Sequence, residues 1–199
     1  VFSDKTGTLT KNEMVFKKIA MEIGTFQEEN LPDLRMILND ECKVYNHPMG
    51  DLINMVNNNN NSNNSVDNIY ESKKRIRRNQ NKIIRDSITA ITLCNNVTPI
   101  YNNETQLYEY QASSPDEIAL VQFAEKINMK LTYRDDEKII LTNSNNYKEE
   151  YDILAIFPFS SESKRMGIVL NNKDTNQKIF YLKGAENVIK KLVKEDYIS

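Results

Sequence analysis

Closely spaced glycines are missing from this sequence. Its 199 residues hold five, at positions 7, 24, 50, 167 and 184, and no two lie closer than 17 residues apart. Loops of the Walker A or GxGxxG kind cradle phosphate with backbone amides freed by neighbouring glycines, so both are excluded. Cysteine is equally sparse. Cys42 and Cys94 make no CxxC or metal-ligand spacing and no framework of secreted disulfides, which fits a reducing compartment. A basic excess is lacking too: 26 Lys and Arg stand against 28 Asp and Glu, a net charge of -2, so a nucleic-acid partner held through its phosphates is not expected. The longest apolar run, Ile153 to Phe159, falls far short of the roughly 20 residues that cross a bilayer. The amino end is neither basic nor followed by an apolar stretch with a small-residue cleavage site, so no signal peptide is read there.

What is present suffices for one compact core. The chain is 39% hydrophobic, and its patterning alternates between two periods. Residues 81 to 96, NKIIRDSITAITLCNN, place Ile84, Ile88 and Ile91 at helical spacing. In SSPDEIALVQFAEKINM, Ser114 reads as an N-cap, Pro115 as the first helical position and Glu117 as the third residue of a capping box. Leu120, Val121, Ala124 and Ile127 form the buried stripe of that helix. Strand-like runs occur at 15 to 23, 107 to 112, 130 to 134, 138 to 142, 151 to 157, 166 to 170 and 178 to 183, the later ones joined by short polar turns that favour antiparallel pairing. Residues 184 to 196 read as a last helix lined by Val188, Ile189, Leu192 and Val193. This order predicts an α+β layer, helices against an antiparallel sheet. Between Gly24 and Asn81 order is expected to decay, with Pro32, Pro48 and Gly50 breaking the pattern. Residues 57 to 64, NNNNNSNN, and the basic cluster KKRIRR at 73 to 78 read as a disordered surface insertion at about 50–80.

The segment FSDKTGTLTKNEM, residues 2 to 14, carries the chemistry. A carboxylate such as Asp4 can attack a phosphoryl group and become an aspartyl phosphate. The spread negative charge of the transferred group needs amides, hydroxyls and a magnesium ion around it, and Thr6, Gly7 and Thr8 can supply the first two. Magnesium would share the Asp4 carboxylate.

DKTGTLT at 4 to 10 resembles, residue for residue, the phosphorylation motif of the P-type ATPases. Haloacid-dehalogenase-like phosphatases place a second aspartate two residues after the nucleophile. Thr6 stands there instead and cannot ferry a proton at neutral pH, so a soluble phosphatase is disfavoured. Three more segments resemble the nucleotide-binding domain of the type IV branch, the phospholipid flippases: YQASSPDEIAL at 110 to 120, FSSESKRMGIV at 159 to 169 and FYLKGAENVI at 180 to 189. Ser163 and Gly167 depart from the usual arginine and serine, and Ile118 and Glu186 from the usual glycine and aspartate.

That resemblance implies an antiparallel sheet of about six or seven strands flanked by helices. Residues 1–14 would be the end of a phosphorylation domain and its hinge, and 15–199 a nucleotide-binding domain. Asp4, Lys5 and Thr6 are implied as catalytic, with Asp4 and Thr6 at Mg2+. Glu117, Phe159, Lys164, Arg165, Lys183 and Gly184 are implied as the ATP site, Phe159 stacking on adenine and Lys183 lining the pocket floor. The complete protein would be an integral membrane translocase moving an aminophospholipid with an accessory membrane subunit. This piece, its soluble cytoplasmic part, lacks the GDGxNDxxM segment and the TGE-like loop and is expected to bind ATP without turnover. A stand-alone nucleotide-binding or interaction module and a cation-transporting P-type ATPase remain the alternatives.

Overall fold

A computed structural model describes residues 13–21, 23–45, 80–143 and 145–193. The DKTGTLT segment with Asp4, Lys5 and Thr6, the Asn-rich tract and the basic cluster at 73 to 78 lie outside these residues. Two short strands, β1 (Lys18–Met21) and β2 (Gly24–Gln27), form an antiparallel hairpin ahead of helix α1 (Leu31–Tyr45). Helix α2 (Gln80–Leu93) follows, then the hairpin β3 (Thr98–Asn102) and β4 (Leu107–Gln111), and helix α3 (Pro115–Lys126). The principal sheet comes last: β5 (Lys130–Arg134), β6 (Lys138–Thr142), β7 (Lys148–Phe157), β8 (Arg165–Asn172) and β9 (Gln177–Gly184), five antiparallel strands in sequence order. The β3–β4 hairpin is a separate two-stranded sheet beside β5, so the principal sheet has five strands rather than the six or seven expected. A short helix, α4 (Glu186–Ile189), continues from β9.

Period-two burial decides which face of the sheet is covered. Ile139 and Leu141 of β6 are buried while Ile140 between them is not, and Ile168 and Leu170 of β8 are buried around a less buried Val169. That face packs on Leu34 of α1, Ile84 and Ile88 of α2 and Val121 and Phe123 of α3. Each such side chain contributes about 1.5–3 kcal/mol by leaving water. One side-chain carboxylate and one carboxamide make two of the tight turns. Asp135 Oδ1 accepts the N–H groups of Glu137 and Lys138 between β5 and β6, and Asn172 Oδ1 accepts those of Asp174 and Thr175 between β8 and β9.

Two stretches differ from the sequence expectation. α1 and β2 fall where order was expected to decay after Gly24. Pro32 lies in the first turn of α1, where its missing N–H costs no hydrogen bond, and Leu31, Leu34 and Leu38 keep a buried stripe behind it. Arg35 then ties α1 to the end of α3, its Nε donating to the Lys126 carbonyl at 2.6 Å. The closing helix is shorter than its pattern: α4 passes into a 3-10 turn over Lys190–Leu192, and Leu192 and Val193 are exposed.

Candidate functional site

Asn95 shapes the entrance to the site. It follows α2, is fully buried, and its amide donates to the carbonyls of Ile91 at 3.1 Å and Thr92 at 2.8 Å, satisfying acceptors that a helix end leaves open. Its Oδ1 accepts the Val97 N–H at 2.9 Å. The turn so made aims the Asn96 N–H at Glu117 Oε2, 3.2 Å away.

Glu117 stands in the first turn of α3, where a capping box would use it. Ser114 takes the extended N-cap conformation but makes no side-chain cap bond. The Glu117 carboxylate is engaged elsewhere: Oε2 accepts from Asn96, and Oε1 accepts from Lys183 Nζ at 2.5 Å. Lys183 reaches it from β9, 66 residues further on, where it pairs with Met166 of β8 on the helix-covered face. The side chains are unequally buried, 12% exposed for Glu117 and 34% for Lys183. A solute arriving from water therefore meets the ammonium first.

Two further groups line this pair. The Cys94 thiol lies 3.8 Å from the carbonyl oxygens of Met166 and Tyr181. Burial pushes it up, and the nearby Lys183 ammonium only partly offsets that, so it stays a thiol at neutral pH. Arg134, the last residue of β5, places Nη1 3.5 Å from Asn95 Oδ1. Burial pulls its guanidinium below the ordinary value while Glu117 acts in the opposite direction. Among the described residues no group of three or more His, Cys, Asp or Glu side chains could hold a metal ion.

The loop from β7 to β8 lies at the same end of the sheet. Phe157 pairs with Gly167 and Arg165 with Gly184, so Phe159, Lys164 and the end of β9 share one edge. Phe159 is 60% exposed, a free aromatic face. Lys164 sits at φ +48, its N–H bonded to the Ser160 carbonyl and its own carbonyl accepting the Ala185 N–H at 3.0 Å. Glycine is required opposite it: a Cβ on Gly184 would come within 2.7 Å of the Lys164 carbonyl oxygen and 3.0 Å of Arg165 Cα. The strand pairing puts Arg165 on the opposite face of the sheet from Lys183. The structure thus joins Glu117 to Lys183, sets Phe159 and Lys164 at their end of the sheet, and directs Arg165 away.

A family model described as "P-type ATPase, cytoplasmic domain N" matches residues 84–194, more than half of the chain and all of the elements that build this site. The chain belongs to the P-type ATPases. Its relatives carry one activity in their names. The P-type ATPase domain is 34% identical over 97% of its length to the mouse "Probable phospholipid-transporting ATPase IIB". It is 35% identical over 98% of its length to "Phospholipid-transporting ATPase NEO1" of Saccharomyces cerevisiae and 32% identical over 97% to "Probable phospholipid-transporting ATPase tat-5" of Caenorhabditis elegans. It spans only 18%, 16% and 16% of those relatives. No helix among the described residues is long and apolar enough to cross a membrane. Sequence reasoning passed over Asn95, Asn96 and Arg134 in this N domain. The Asn-Asn pair directly after an amphipathic helix was the available signal for the first two.

Proposed function

We propose that this N domain binds ATP at the sheet end formed by Glu117, Lys183, Lys164 and Phe159, and that it serves a phospholipid-transporting P-type ATPase. One observation carries the reading: a recessed carboxylate fixes a reachable ammonium at the sheet end that also carries an exposed aromatic ring. Phe159 offers a π-face to a purine, a contact of about 1–3 kcal/mol. Glu117 can accept from an exocyclic amine, Lys183 and Lys164 can meet the nucleotide's negative groups, and Gly184 keeps the backbone close beneath. Arg165, on the other face, takes no part in this version of the site.

In the complete protein the γ-phosphate would pass to Asp4; Asp4 and Thr6, which lie outside the described residues, would hold Mg2+, which would offset the charge of the transferred group. The Asp4 carboxylate attacks phosphorus, the bond to ADP breaks, and water later cleaves the aspartyl phosphate to restore the acid. That cycle drives an aminophospholipid across a membrane with an accessory membrane subunit, the N domain facing the cytosol. Alone, the 199-residue chain binds ATP without turnover.

The test is a titration of the isotope-labelled chain with ATP. Signals of Glu117, Phe159 and Lys183 should move first, with a millimolar dissociation constant, about -4 kcal/mol. Lys183→Ala should weaken binding about tenfold, or 1.4 kcal/mol. Shifts confined to the face bearing Phe157 and Phe180 would reject the pocket. For Asp4, the complete protein should form an acid-stable, hydroxylamine-labile phosphoenzyme that Asp4→Asn abolishes.

A further inference from the structure

Glu117 has two direct partners, and only one of them is charged. Lys183 Nζ is on Oε1 and the Asn96 N–H on Oε2. A ligand anion that recruits Lys183 would leave a carboxylate with 12% side-chain exposure holding a single neutral donor. A buried charge stripped of its counter-charge is strongly disfavoured, so either the ligand fails to draw Lys183 or another cation replaces it. One cation is in position. Arg134 faces the same space from β5, stands 3.5 Å from the Asn95 oxygen next to the residue that donates to Glu117, and makes no ion pair within 4.0 Å among the described residues. Its charge is permanent and its guanidinium offers five donors on a long stem. Groups facing Glu117 come from three directions: Lys183 on β9, Arg134 on β5 and the neutral Cys94 thiol after α2.

We propose that Arg134 is a positioning residue that holds Glu117 in place when a bound nucleotide draws Lys183 away. Arg134 touches no nucleotide. It compensates the carboxylate that Lys183 leaves, and so sets how readily Lys183 is released. This inference rests on the ATP-site reading above.

A double-mutant cycle with ATP as the probe tests it, using the 199-residue chain as wild type, Arg134→Gln, Arg134→Lys, Glu117→Gln and the double variant Glu117→Gln/Arg134→Gln. Arg134→Gln should weaken ATP binding about tenfold in the wild-type background and less than about twofold in the Glu117→Gln background, because residues that act through one another do not add. Arg134→Lys should recover most of the loss. Equal weakening in both backgrounds would mean a direct ligand contact or a merely structural role, and overturns the proposal, as does no weakening in either. The wild-type arm of a second measurement does not depend on any variant folding. The Arg134 guanidinium Nε–H resonance should shift on ATP saturation in the wild type and stay put in Glu117→Gln; a resonance unmoved in the wild type overturns the proposal. If wild-type Lys183 itself ignores ATP, the pocket assignment fails and this inference with it. A responsive Lys183 with additive variants removes the Arg134 role alone.

Discussion

A methyl group on Gly184 would press against two backbone atoms, the Lys164 carbonyl oxygen and Arg165 Cα, neither of which can swing aside. Gly184→Ala is therefore expected to cost about 1–3 kcal/mol in urea unfolding and to weaken ATP binding, since it pushes apart the strand ends that carry Lys164 and Lys183. Gly167 makes an instructive contrast. A Cβ there would meet side-chain atoms, the Phe180 ring at 2.8 Å and Leu182 Cδ1 at 3.4 Å, and the Phe180 ring is more than half exposed. Gly167→Ser should cost under about 1 kcal/mol by the same measurement, because an exposed side chain can rotate away. Cys94 supplies a check by chemistry. Held as a thiol by burial, in a Cys42→Ser background it should react with a thiol reagent at neutral pH much more slowly than a free cysteine, and at full rate only in denaturant. At this scale the sequence singled out residues that meet at one end of the sheet but not their partners. Glu117 fits a capping box from its neighbours alone; its bond to Lys183, 66 residues away, has no local signature.

Between elements, α2 and β7 are fastened by a buried ion pair. Arg85 Nη2 meets Glu149 Oε1 at 2.6 Å, both side chains 5% exposed, and Tyr151 donates its hydroxyl to Glu149 Oε2 at 2.8 Å. Glu149→Gln removes the carboxylate charge from a buried guanidinium and should cost about 3–5 kcal/mol, whereas replacing both partners by methionine should cost far less. Urea midpoints of the two variants decide this. Elements whose periodicity reports burial directly were legible: β5 to β9 and α3 fall where alternation and helical spacing put them. α1 was not, because Pro32 reads as a breaker until its first-turn position is known, and β3 was not, because only Pro99 and Asn102 of its residues are half-buried and none is buried. A half-wet hairpin strand leaves little apolar pattern to find.

For the molecule as a whole, alkaline pH gives the clearest test of the core. Burial first, then the Glu149 charge, raises the Tyr151 phenol above its ordinary value of 10.0. Below that pH both folded and unfolded chains hold the proton and stability is unaffected. Above it the unfolded chain releases the proton and the folded chain keeps it, so unfolding becomes easier by about 1.4 kcal/mol per pH unit for this group. Thermal midpoints between pH 9 and 11 should fall more steeply in the wild type than in Tyr151→Phe; parallel slopes would show Tyr151 to be ordinary.

The Glu117–Lys183 contact also bears on timing. At the proposed ATP site an incoming nucleotide would compete with a carboxylate already seated on its own ammonium, so its affinity would be a difference between two attachments. Each departure of nucleotide lets the internal rival reseat. Under the ATP-site proposal, such a domain would hold a nucleotide loosely and release it fast, as suits a carrier that takes up a triphosphate, presents it elsewhere and sheds the diphosphate before the next round.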